Sequence, residues 1–183
     1  PLQSGDDEIL KKMKRPYSAS LFEEIVLKIH EKLPLAGIGV DTLIGFPSET
    51  DVQFENTFRL IEKLPISYLH VFPFSARKGT PAFHFDGKVA PEMIQERCTR
   101  MRELDKKKRS AFVHANQVKK LQGLVQKTKD KPSGYLKAVT SNYLTILLEK
   151  DLLENQASLK GKLVNLTYER LDDQGNPLGK IIG

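Results

Sequence analysis

Two short apolar runs rich in β-branched residues, 36–45 and 66–74, lie either side of a segment whose apolar residues recur at helical spacing. That order constrains the chain most, because two strands joined through a helix must run parallel. Ala36-Gly37-Ile38-Gly39-Val40 leads the first run and Gly45 closes it; the second follows Pro65. Phe46-Pro47-Ser48 reads as a turn. Thr50 with Gln53 forms a capping box, and Phe54, Phe58 and Ile61 give the following helix its core face. Upstream, Ser4 with Asp7 and Ser20 with Glu23 predict two further helix starts. The first helix is expected over 5–14, stopping near Pro16. The second is expected over 21–33, with Phe22, Ile25, Val26, Ile29 and Leu33 as its apolar stripe and Pro34 closing it.

Residues 75–89 read as loop, headed by Arg77-Lys78-Gly79-Thr80-Pro81. Pro91 suits a helix first turn, and Met93, Ile94, Cys98, Met101, Leu104 and Phe112 predict a helix from 91 to about 113. From about residue 117 the period changes. Five short β-like runs follow at 119–126, 135–141, 143–149, 162–170 and 178–182, separated by turns such as Lys131-Pro132-Ser133-Gly134. The predicted fold is α/β: a partial parallel (β/α) barrel over 1–116, then a small all-β antiparallel OB-like barrel over 117–183, with the boundary at 114–118. Two buried-type strands do not make a stable sheet. Residues 1–3 would be the end of a third strand, and a second copy or residues preceding Pro1 would complete the rest. The chain opens on Pro1-Leu2-Gln3 without an initiator Met, which reads as a fragment.

Apolar content of 39% and charged content of 28% describe an ordinary globular chain, with no apolar run of membrane-spanning length. A single cysteine, Cys98, excludes an internal disulfide, a cysteine-held iron–sulfur cluster and a cysteine zinc site, and fits a cytoplasmic origin. Residues 97–131 carry a net charge of +9 in a chain of net +6. A basic segment in an otherwise mildly acidic chain suits either a polyanion partner or a solvated helix face.

Three stretches together resemble the methylthiotransferase family of radical S-adenosylmethionine enzymes. The first runs from Pro1-Leu2-Gln3-Ser4-Gly5 to Met13-Lys14-Arg15, similar to the end of the fourth barrel strand and the helix after it. The second is Asp41-Thr42-Leu43-Ile44-Gly45-Phe46-Pro47-Ser48-Glu49-Thr50, similar to the family's D-x-x-x-G-F-P-G-E-T, with Ser48 at its common glycine. The third, Leu69-His70-Val71-Phe72-Pro73-Phe74-Ser75-Ala76-Arg77-Lys78-Gly79-Thr80-Pro81-Ala82, is similar to the sixth strand and its tail. The last segment, with Gly134-Tyr135 and Ser141-Asn142-Tyr143-Leu144, resembles the TRAM module, an RNA-binding barrel.

The resemblance implies an enzyme that inserts a methylthio group into a hypermodified adenosine beside the anticodon of tRNA. It implies S-adenosylmethionine and two 4Fe-4S clusters in the full-length protein, with the cluster ligands outside this chain and the chain alone inactive. It implies an N-terminal part of the same protein and a tRNA anticodon stem-loop as partners. The stretch from Val71 to Arg77 is most similar to the threonylcarbamoyl-adenosine branch. Isopentenyl-adenosine is the alternative; a branch acting on a ribosomal-protein aspartate is often acidic at the position of Arg77. A non-catalytic RNA-binding module is the reading from another class.

By the same resemblance, Gln3, Ser4, Arg15, Gly45 and Phe72 would hold the cofactor, Arg15 by pairing a carboxylate. Arg77, Lys106, Lys107, Arg109, Lys119, Lys120 and Tyr143 would meet RNA. Each has a plainer reading: Ser4 as an N-cap, Arg15 and Arg77 as solvated charges, Gly45 as a corner, Phe72 as packing and the lysines as a solvated face. Tyr135 and Tyr143 suit base stacking or barrel core alike. No residue of the chain is expected to be catalytic or a metal ligand.

Overall fold

The computed structural model describes residues 2–148 and 159–182. Pro1 and Glu149, the ends of two expected strand segments, lie outside the described residues. The chain forms two compact units, Pro1–Arg109 and Ser110–Gly183.

In the first unit β1 (Gly39–Ile44) and β2 (Tyr68–Pro73) are parallel, with Gly39 opposite Tyr68 and Ile44 opposite Pro73. α1 (Asp7–Lys12) and α2 (Ala19–Lys32) precede β1; α3 (Asp51–Lys63) joins the two strands. α4 (Pro91–Asn116) follows β2 after a 3-10 turn at Pro81–His84. The expected third strand end is present as one bridge. Gln3 N–H donates to the Asp41 carbonyl at 2.8 Å, and the Gln3 carbonyl accepts from Leu43 N–H at 2.9 Å. Alternation then sorts the side chains. Val40, Ile44 and Leu69 enter a core with Leu2, Phe54, Ile61 and Met101, while Tyr68, His70 and Phe72 point to the opposite face.

Both upstream helix starts differ from expectation. α1 is capped by Asp6, whose carboxylate accepts from Glu8 and Ile9 N–H. Ser4 is instead buried, with its hydroxyl 3.2 Å from Thr57 Oγ1. α2 is capped by Ser18, not Ser20. α1 ends in a Schellman arrangement: Lys14 lies at φ 55°, its N–H donates to Lys11, and Arg15 N–H reaches back to Leu10. The stripe on α2 is only partly covered. Val26 is buried, but Ile25, Ile29 and Leu33 are exposed.

The second unit is a closed barrel. β3 (Leu121–Lys129), β4 (Leu136–Thr140), β5 (Thr145–Leu148), β6 (Leu163–Leu171) and β7 (Pro177–Ile181) are ordered β3-β4-β5-β7-β6, and β6 pairs back onto β3. The barrel is not wholly antiparallel, because β5 and β7 run parallel. Five strands around a closed ring cannot alternate direction throughout, so one neighbouring pair must run the same way. Val125, Leu136, Ala138, Ile146, Leu148, Leu166 and Tyr168 fill the interior, consistent with an OB-like module. The division between units falls inside α4, and the helix's last turns belong with the barrel. There the Tyr168 hydroxyl donates to the Val113 carbonyl and Asn142 Nδ2 donates to Asn116 Oδ1.

Candidate functional site

In a parallel sheet, ligands collect at the carboxyl ends of the strands. Here that edge comprises the residues after Ile44 and Pro73, with Gln3 beside them. Gly45 lies at φ 80°, and a Cβ there would come 2.4 Å from Ile94 Cγ1. The glycine is thus required by backbone and packing together. Phe46 is buried, edge-on to Phe74 and Phe85 with centroids 5.3 and 6.0 Å away. Ser48 occupies φ 66°, a left-handed position that a glycine takes without strain, and its N–H donates to the Gly87 carbonyl at 2.7 Å. A shallow cleft of about 160 Å³ runs between Gly45, Phe74, Lys88 and Ile94.

Beneath this corner is a buried ion pair that sequence reasoning missed. Glu49 Oε2 accepts from Gly45 N–H at 2.9 Å and from Arg97 Nη1 at 2.8 Å. Arg97 Nη1 also reaches the Glu49 carbonyl at 3.2 Å, and Nη2 reaches Asp51 Oδ1 at 2.7 Å. Glu49 and Arg97 are 5% and 3% exposed, so the pair is almost wholly removed from water. Burial pushes the Glu49 carboxyl above its ordinary range, opposed by the Gly45 N–H and the Arg97 charge. Arg97 therefore ties the start of α4 to the strand–turn–helix corner. The available signal was position: Arg97 lies three residues after Ile94 and four before Met101, on the apolar stripe.

The residues expected to hold a cofactor are placed unequally. Gln3 is half-buried beside β1, Ser4 is bonded into the core, and Phe72 is 51% exposed at the end of β2. Arg15 is exposed at the end of α1, and Gly45 is packed against Ile94.

Among the residues expected to meet RNA, Lys106 and Lys107 are exposed on α4. Their neighbour Lys108 instead donates to the Glu62 and Leu64 carbonyls at 2.6 and 2.7 Å, closing the end of α3, and burial lowers its pKa. Arg109 pairs with Asp105 at 2.8 Å and lies over the Tyr68 ring, 5.1 Å from its centroid. Arg77 is exposed in a turn whose carbonyl accepts from Thr80. In the barrel unit Lys119 and Lys120 are exposed at the start of β3. Tyr143 is 77% exposed, so it is not a core residue; Tyr135 is half-buried. Among the described residues no group of three or more His, Cys, Asp or Glu side chains is placed to hold a metal ion.

No family model matches the chain. Curated proteins do. The threonylcarbamoyladenosine tRNA methylthiotransferase MtaB of Aquifex aeolicus is 37% identical over 148 residues, covering 81% of this chain and 34% of that protein. The tRNA-2-methylthio-N(6)-dimethylallyladenosine synthase of Oceanobacillus iheyensis is 33% identical over 92% of this chain and 35% of its own length. This chain belongs with the tRNA methylthiotransferases. The synthase of the same name from Thermobifida fusca is 42% identical over 107 residues, 58% of this chain and 22% of that protein. The chain thus spans about a third or less of the length of these methylthiotransferase relatives.

Proposed function

We propose that this chain is the cofactor-edge and RNA-binding part of a tRNA methylthiotransferase that modifies threonylcarbamoyl-adenosine beside the anticodon. The branch rests on a relative named for that nucleoside, 37% identical over 81% of the chain, set against a dimethylallyladenosine synthase 33% identical over 92% of it. The exposed Arg77, and the Val71–Phe74 sequence before it, support the same branch.

In this reading two 4Fe-4S clusters held outside this chain would supply the reductive cleavage of S-adenosylmethionine and a part in sulfur delivery. The residues of this chain do not suit either cluster. Cys98 is its one thiol, it is buried at 2% exposure, and burial raises its pKa away from the thiolate a cluster needs. The carboxyl edge of the parallel pair suits the organic cofactor better. Gln3 offers an amide, Phe72 an exposed ring face and Arg15 a guanidinium for a carboxylate. Ser4 and Gly45 contribute through backbone shape, Ser4 by fixing the segment after Gln3 on Thr57 and Gly45 by turning the chain after β1.

RNA contact in this reading falls to exposed cations: Lys106, Lys107, Arg109 and Arg77 in the first unit, Lys119 and Lys120 in the second, with Tyr143 as the aromatic group. Disrupting the gene and digesting cellular tRNA to nucleosides for mass spectrometry tests the proposal. The expected result is loss of the methylthio form and accumulation of unthiolated threonylcarbamoyl-adenosine. Loss confined to methylthio-isopentenyl-adenosine would move the chain to that branch. Both nucleosides unchanged would contradict the proposal.

A further inference from the structure

The β4–β5 connection is built on a turn that ordinarily calls for glycine. Tyr143 N–H donates to the Thr140 carbonyl and Thr140 N–H donates to Leu144, both at 2.9 Å. Such three-residue hairpin loops place their last residue in the left-handed region, where glycine is usual. Here that residue is Tyr143, at φ 67° and 77% exposed. The ring is held in a costly backbone conformation and has little protein around it, so packing does not account for it.

A second residue at the same end of the barrel repeats the pattern. Val118, β-branched and at φ 58°, is 67% exposed. An amide pair ties the two together: the half-buried Asn142, adjacent to Tyr143, donates to Asn116 Oδ1 at 2.8 Å, and Asn116 is fully buried two residues before Val118. Asn116 Nδ2 is itself fixed on the Phe112 carbonyl at 2.9 Å, and Thr140 Oγ1 holds Asn142 Oδ1. Ser141 N–H donates to the Gln122 carbonyl, which sets the turn beside the start of β3, where Lys119 and Lys120 are exposed.

We infer that this end of the barrel clamps one unpaired base of single-stranded RNA: Tyr143 offers the stacking face, Val118 an apolar edge, and Lys119 and Lys120 take the flanking phosphates. The proposal rests on the RNA-binding reading above and adds its substrate class. A duplex hides the faces of its bases inside the stack, so a lone exposed ring selects unpaired nucleotides. The lysines supply the charge complement to the backbone. The Asn116–Asn142 pair is a positioning device that fixes the turn before the ligand arrives.

The chain contains no tryptophan, so Tyr143→Trp in the full chain places its one tryptophan, excited apart from the remaining tyrosines, at the proposed contact. Its emission should be quenched by a short unstructured single-stranded RNA and not by the duplex formed from it. Tyr143→Gly should weaken single-strand binding roughly five- to hundredfold. It should leave the thermal midpoint unchanged or higher, because glycine relieves the left-handed backbone; a merely structural tyrosine would lower it. Single-strand binding without quenching, or quenching by duplex alike, overturns the clamp and leaves the lysine-based RNA reading intact. No binding of either RNA at low salt overturns both.

Discussion

In the barrel every strand has two strand neighbours, because β6 closes back onto β3. In the parallel pair β1 is bonded to β2 on one side and, among the described residues, to Gln3 alone on the other. The barrel satisfies its ladders internally and fills its interior with apolar residues, although Leu124 and Leu163 are exposed on its outside, whereas the parallel pair buries one face beneath α3 and α4 and turns Tyr68, His70 and Phe72 to the other. Exposure therefore carries different meaning in the two units. On the open two-stranded sheet it marks a face that no second layer covers among the described residues. On a closed barrel an exposed aromatic such as Tyr143 has no such explanation, which is why it bears on ligand contact.

The comparison is broken most severely at Arg97. Arg97→Met leaves the Glu49 carboxylate buried with only the Gly45 N–H, and should destabilise the first unit by about 3–5 kcal/mol. Denaturant unfolding followed by amide exchange would measure this, with protection of β3–β7 unchanged; equal loss in both units would contradict the separation.

In the barrel the corresponding buried polar group is Tyr168. Tyr168→Phe leaves the Val113 carbonyl without its donor and should cost about 1–3 kcal/mol. Burial pushes the Tyr168 phenol up to about 12 from an ordinary 10. A raised folded pKa means that the stabilisation is complete below pH 10 and is lost as pH rises through about 12. Thermal midpoints across that window should fall for the native chain and fall less for Tyr168→Phe.

The smallest effect has the opposite sign. Ser48→Gly removes a left-handed serine, so stability should rise by up to about 1 kcal/mol. A lowered midpoint would mean that the hydrogen bond from Ser48 Oγ to the Asp86 carbonyl outweighs the backbone term.

The elements legible in the sequence were those written as period or punctuation. The runs 36–45 and 66–74 contain β1 and β2, though β2 is buried on one face only, Thr50 and Gln53 form the expected capping box, and the turn at 131–134 separates barrel strands that formed close to their expected places. Side-chain competition was not legible. Ser4 and Asp6 both suit a cap, and only the tertiary partner Thr57 decides which is used. Arg97 resembled the solvated charges around it until the fold brought Glu49 to it. Tyr143 shows a further limit: a non-glycine residue at positive φ breaks the local rule that would have marked its turn.

The assignment of phosphate contact to the exposed lysines is tested most directly by filter binding of the chain to an anticodon stem-loop at several salt concentrations. Three to five phosphate contacts predict a log–log slope of about −2 to −4, since each contact contributes roughly 0.7–0.9. Replacing Lys106 and Lys107 together, or Lys119 and Lys120 together, should flatten the slope by up to about two contacts' worth with little change in sequence preference. Absent binding at low salt, or a slope that neither pair of substitutions alters, would contradict the account.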